Sequence, residues 1–154
     1  MKKIILAAAM LLTALPGWAG SPGIYEKTIP GELETTYNSI HNNLENNGFY
    51  VIFEPNIGKN LDGMATRFGK DYNLNKLEDI RSMVFCNAAF ANRLSNLDPA
   101  ALALCPLHIT LIQKAGQTTV LFVKPSMVAQ GSPAQAVARE IETEVVKSIE
   151  AASK

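Results

Sequence analysis

Apolar positions follow two periods along this chain, and the places where the period changes mark its elements. Ile24 to Ile29 alternates and predicts a first strand, which Pro30-Gly31 ends. Glu32 to Asn46 predicts a helix, with Leu33, Tyr37, Ile40 and Leu44 on one face and Gly48 as its stop. Phe49 to Glu54 is apolar at nearly every position, which predicts a strand buried on both faces. Leu61, Met64, Ala65 and Phe68 mark a short amphipathic helix ending at Gly69, and Lys70 to Glu78 is a polar loop. Ile80 to Cys86 predicts the third strand. Asn87 then caps a helix through Phe90, Ala91 and Leu94, and Asp98-Pro99 opens a further helical turn. Leu107 to Lys114 and Gln117 to Lys124 form a hairpin across Ala115-Gly116.

The last helix carries the fullest signal. Ser132 is its expected cap, Pro133 its first residue and Gln135 the other half of a capping box. Val137, Ile141, Val145 and Ile149 give a buried stripe, with Glu140, Glu142, Lys147 and Glu150 on wetter faces. Helices between and after hairpin-connected strands imply an α+β fold, a mostly antiparallel sheet with long helices packed on one face.

The N-terminus changes the picture of the compartment. Lys2 and Lys3 precede an apolar run, Ile4 to Leu15, and Gly17 and Ala19 supply small residues at cleavage positions. This is the order of a signal peptide, expected over residues 1–19. The apolar run is shorter than the roughly 20 residues of a membrane span. No cysteine follows it to carry a lipid anchor. Residues 20–154 are then expected to form one periplasmic or secreted domain, with no membrane contact after cleavage. Loss of Lys2 and Lys3 takes the charge from 14 basic against 14 acidic residues to 12 against 14. No basic stripe is present to neutralise phosphates, so nucleic acid is not the expected partner.

Candidate chemistry centres on Cys86 and Cys105, the only two cysteines. In an exported chain such a pair reads as a disulfide, and the end of strand three should lie near the start of strand four. Two other readings stay open. Cys86 stands at a strand end before the start of a helix, where the helix dipole favours a reactive or metal-bound thiolate. Two inert thiols are also compatible. His108 follows Cys105 by an odd number of positions, which in a regular strand puts them on opposite faces. Two Cys and two His (His41 and His108) could in principle hold a soft metal, but their spacing matches no zinc or haem motif. Met64 and Met83 read as core filling, and Met127 could be exposed. Asp62, Asp71, Glu78 and Asp79 read as solvated charges. There is no Gly-rich phosphate loop, His-Glu-x-x-His helix or Gly-x-Ser-x-Gly elbow.

Several of these features resemble the domain-of-unknown-function family 302. Cys86-Asn87 at a strand end, Ala91 in the next helix, the Gly48-Phe49 step and the Val123-Lys124-Pro125 exit follow its pattern from Tyr37 to Val123. The resemblance implies a strand, a helix, four strands and a final helix, and relatives that form homodimers. The chain departs from the pattern around Pro106. Cys105 precedes the family cysteine position, Leu107 stands in that place, His108 stands where asparagine is usual, and Ala88 replaces a proline.

Two functional readings result. The first is a non-enzymatic binding or interaction domain, its partner a small ligand or a protein, in a groove near Cys86, Asn87, Pro106 and His108. The second is a thiol-redox or metal- or haem-handling protein using Cys86, Cys105 and His108. The first is preferred because no catalytic constellation is legible, and no cofactor is favoured.

Overall fold

The computed structural model describes residues 21–153, so the expected signal peptide lies outside the described residues. Five strands form one antiparallel sheet in the order β1-β5-β4-β3-β2. They are β1 (Ile24–Pro30), β2 (Tyr50–Phe53), β3 (Asp79–Cys86), β4 (Leu107–Lys114) and β5 (Gln117–Val123). The helices are α1 (Leu33–Asn46), α2 (Ile57–Asp62), α3 (Ala65–Phe68), α4 (Ala88–Leu97), α5 (Pro125–Val128) and α6 (Gln135–Ala151). Short 3-10 turns follow at Gly69–Asp71 and Pro99–Leu104.

Register explains which face of the sheet is covered. Phe85 pairs with Leu107, Met83 with Ile109, Leu111 with Val120 and Ile109 with Phe122, so these side chains all point to one side. All are buried, and the stripes of α1 and α6 close over them. Leu33, Tyr37, Ile40 and Leu44 come from α1, and Val137, Ile141, Val145 and Ile149 from α6. Each fully buried Leu or Ile contributes roughly 1.5–3 kcal/mol through apolar burial. The α+β architecture with its long helices on one face is the one the pattern implies.

Local chemistry fixes the element ends. After α1, Gly48 adopts φ +76°, the Gly48 N–H bonds the Glu45 carbonyl, and the Phe49 N–H bonds the Leu44 carbonyl. This is a Schellman closure, with Leu44 and Phe49 both buried as its apolar pair. Asn87 accepts the Phe90 N–H at 3.1 Å and caps α4. Ala115 (φ 51°) and Gly116 (φ 71°) turn the β4–β5 hairpin in two left-handed steps.

Three expectations are corrected. β2 is not buried on both faces: Tyr50, Ile52 and Phe53 are 62%, 62% and 63% exposed. The strand lies at the sheet edge, and its register slips between Val51 and Phe53, so only Phe49 and Val51 turn inward. The helix expected around Leu61 to Phe68 is two short helices, because Gly63-Met64 interrupts it. The box expected at the last helix is displaced. Ser132 Oγ accepts from Ala134 N and donates to Asp98 at 2.5 Å, and α6 begins only at Gln135.

Candidate functional site

Cys86 ends β3, and Cys105 follows the Pro99–Leu104 turn that leads into β4. Antiparallel pairing of β3 with β4 brings these ends together. Their sulfurs lie 2.08 Å apart, at disulfide-bond distance, with Cα atoms 6.0 Å apart. The Cys105–Pro106 peptide is cis. Asn87 spends both ends of its amide locally: Oδ1 caps α4, and Nδ2 donates to the Gly48 carbonyl at 2.9 Å. Pro106 and His108 are exposed, and His108 pairs with Val84 on the sheet face opposite the core. The void bordered by Cys86, Asn87, Phe90, Cys105 and Leu107 is about 10 Å³, near the lower limit for one water.

The two histidines do not join the cysteines. His41 Nε2 lies 3.9 Å from Glu54, beside the Tyr37 hydroxyl that Glu54 also accepts from. Among the described residues, no three His, Cys, Asp or Glu side chains stand close enough to hold a metal ion.

A polar cluster that the sequence pattern did not suggest joins α1 to β3. The Tyr37 hydroxyl donates to Glu54 at 2.7 Å and to the Ser82 carbonyl at 3.2 Å. The Arg81 guanidinium lies 4.5 Å from the Tyr37 ring centroid and bonds Glu34 at 2.5 Å. Burial, then the bond to Glu54, pushes the Tyr37 phenol above its ordinary 10.0. Tyr25, bonded to Glu150, moves the same way for the same leading reason. No cavity borders these groups among those described, so the cluster reads as a clamp between elements.

The space for a ligand lies elsewhere. A cavity of about 410 Å³ opens between α2, α3, the loop after them and the start of β3. This volume is within the range of small-molecule sites, about 300–1,000 Å³. Leu61, Phe68, Leu77 and Ile80 supply apolar walls, and Tyr72 donates its hydroxyl to Asp62 at one side. Gly58 lets α2 approach β3 closely, since a Cβ there would lie 3.0 Å from the Ile80 nitrogen. In sequence, Lys70 to Glu78 reads only as a polar loop. The signal inside it is the apolar series Tyr72, Leu74 and Leu77, which continues from Phe68 at the end of α3.

Residues 25–152 match the family described as domain of unknown function DUF302. The chain belongs to the DUF302 family. A crystal structure of an uncharacterized conserved DUF302 protein from Bacillus stearothermophilus superposes with a TM-score of 0.72 at 19% identity. The match covers 85% of this chain and 98% of that one. At this identity the likeness speaks for the shared DUF302 fold alone. No curated protein matches the chain.

Proposed function

We propose that this DUF302 protein is an exported binding domain that holds a small molecule between α2 and β3. The 410 Å³ cavity carries the reading. It is walled by apolar side chains and has polar groups at its margin, the usual composition of a ligand site. Export follows from the order of Lys2-Lys3, the Ile4–Leu15 run and Ala19. In an oxidising compartment the Cys86–Cys105 pair serves as a structural disulfide that pins the β3 end to the start of β4. Two measurements test this. Intact mass of protein recovered from outside the cytoplasm should begin near Gly20 and lack two hydrogens. Replacing Ile80 by Trp should abolish binding of any small molecule that copurifies, with circular dichroism unchanged. Full-length protein held in the inner membrane would reject export.

A second reading places the ligand at the disulfide end, across Cys86, Asn87, Pro106 and His108. Exposure of Pro106 and His108 beside the start of α4 favours it. With a void of about 10 Å³ there, the ligand would lie on the surface. His108→Ala and Ile80→Trp separate the two sites, since each should affect only its own. The thiol-redox alternative calls for reversible reduction of Cys86 and Cys105, and titration of the pair with dithiothreitol tests it. Homodimer formation, implied by the family, has a candidate surface in exposed Tyr50, Ile52 and Phe53. Light scattering of wild type against Tyr50→Ser/Phe53→Ser decides it.

A further inference from the structure

We propose that the cavity between α2 and β3 is a site for a small organic cation, an ammonium carried on an apolar or aromatic body. The proposal rests on the reading that this cavity binds a ligand. Its class follows from the lining. Four carboxylates, Asp62, Asp71, Glu78 and Asp79, border the cavity, and no Lys, Arg or His does. None of the four joins an ion pair. The five pairs among the described residues use Glu34, Glu54, Glu140, Glu144 and Glu150. Hydrogen bonds take up part of their capacity. Asp62 accepts from Tyr72, Glu78 from the Ala115 N–H at 3.0 Å and Asp79 from the Ile80 N–H at 2.8 Å. Among the described residues none of the four has a cationic side chain at ion-pair distance.

An anionic ligand would face four like charges, and a neutral one would gain hydrogen bonds but no charge attraction from them. A bare metal ion is a poor fit, since no three of these groups converge on one point. An organic cation satisfies both parts of the wall. Its body would lie against Leu61, Leu77 and Ile80, and its charge near the carboxylates and the Phe68 and Tyr72 rings.

The test uses matched probes on the whole protein by calorimetry. Tryptamine and 2-phenylethylamine are the cations, tryptophol and 2-phenylethanol the neutral partners, and indole-3-propionate and 3-phenylpropanoate the anions. Each amine should bind about tenfold or more tighter than its alcohol, and the acids should not bind. Asp71→Asn/Glu78→Gln, which leaves Asp62 and Asp79 charged, should reduce that preference while largely preserving alcohol binding. Ile80→Trp should abolish binding of all probes. Alcohols or acids that bind as well as the amines would overturn the cation class and leave the cavity reading standing. Absence of binding by all six probes, or binding indifferent to Ile80→Trp, would overturn both.

Discussion

Gly58 and Ile80 meet with no side chain between them. A Cβ on Gly58 would sit 3.0 Å from the Ile80 nitrogen and 3.2 Å from Oδ1 of Asp79. That approach seats α2 against the start of β3 and so builds one wall of the cavity. The Asn56–Arg81 bridge and the Asn56 cap on Lys59 N–H hold the same junction from the N-terminal side. The wall therefore depends on a residue with no side chain, inside a helix where glycine itself costs about 1 kcal/mol relative to alanine.

Replacing Gly58 by Val should push α2 away from β3 without unfolding the domain, whose buried apolar cluster includes no residue of α2. Hydrogen exchange is the measurement. Amides of residues 57–62 should lose protection while those of β4 keep theirs. Unchanged protection in residues 57–62 would show that α2 does not rest on Gly58.

The long elements were legible because their apolar periods are long. α1 and α6 put their expected stripes in the core, and β3, β4 and β5 fall within a residue or two of their expected bounds. Strand β2 departs from expectation for a physical reason. Its continuous apolar run is the same whether a strand lies at the centre or the edge of a sheet, and only pairing order decides. The four-residue α5 is too short to show a period. The cysteine pairing could be read from strand order, because a meander places neighbouring strand ends together. The cavity could not. It depends on close backbone approach at Gly58 and on the folding of residues 69–78 back toward Ile80, and neither leaves a periodic trace. Pro106 and His108 do not border the small void at the disulfide, whose walls include Phe49 and Phe90, stacked with centroids 5.7 Å apart.

Joining Cys86 to Cys105 closes a loop of sequence separation 19. In the chain-entropy account such a closure stabilises by about 3 kcal/mol, through the unfolded state. Cys86→Ala/Cys105→Ala should therefore lower the stability measured by urea titration by about that amount. Dithiothreitol should lower the wild type and leave the double variant unchanged. An equal response of both proteins to the reductant would show that the sulfurs are not bonded.

Alkaline stability should depend on Tyr37. Its phenol is raised in the fold, by burial first and then by the bond to Glu54, from an ordinary value of 10.0. A group raised on folding contributes its full stability below the unfolded value. That contribution is lost as pH rises above about 10, where the unfolded chain sheds the proton and the folded one keeps it. Tyr25 behaves alike through burial and Glu150. The wild type should thus lose stability between pH 9 and 11 more steeply than Tyr25→Phe/Tyr37→Phe, by urea midpoints across that about two-unit window. Parallel curves would show that neither phenol is held by its carboxylate.

Asn87→Asp probes the start of α4. On the cap alone the change should be nearly neutral, because Asp caps as well as Asn and its charge suits a helix N-terminus. The second bond alters that expectation. Asn87 Nδ2 donates at 2.9 Å to the carbonyl of Gly48, the residue that closes α1, and a carboxylate would set an acceptor against an acceptor there. Loss of a donor from a half-buried carbonyl costs about 1–3 kcal/mol, more than the roughly 0.3–1 kcal/mol that the dipole returns. Asn87→Asp should therefore be destabilised by about 1–2 kcal/mol in denaturant titration, and Asn87→Ala, which loses the cap as well, by more. Lowering the pH far enough to protonate the introduced carboxylate should restore part of the loss, since a protonated carboxyl can donate to Gly48. Wild-type stability in Asn87→Asp would mean that the link from α4 to the end of α1 carries no energy. Only the cap would then explain asparagine at this position.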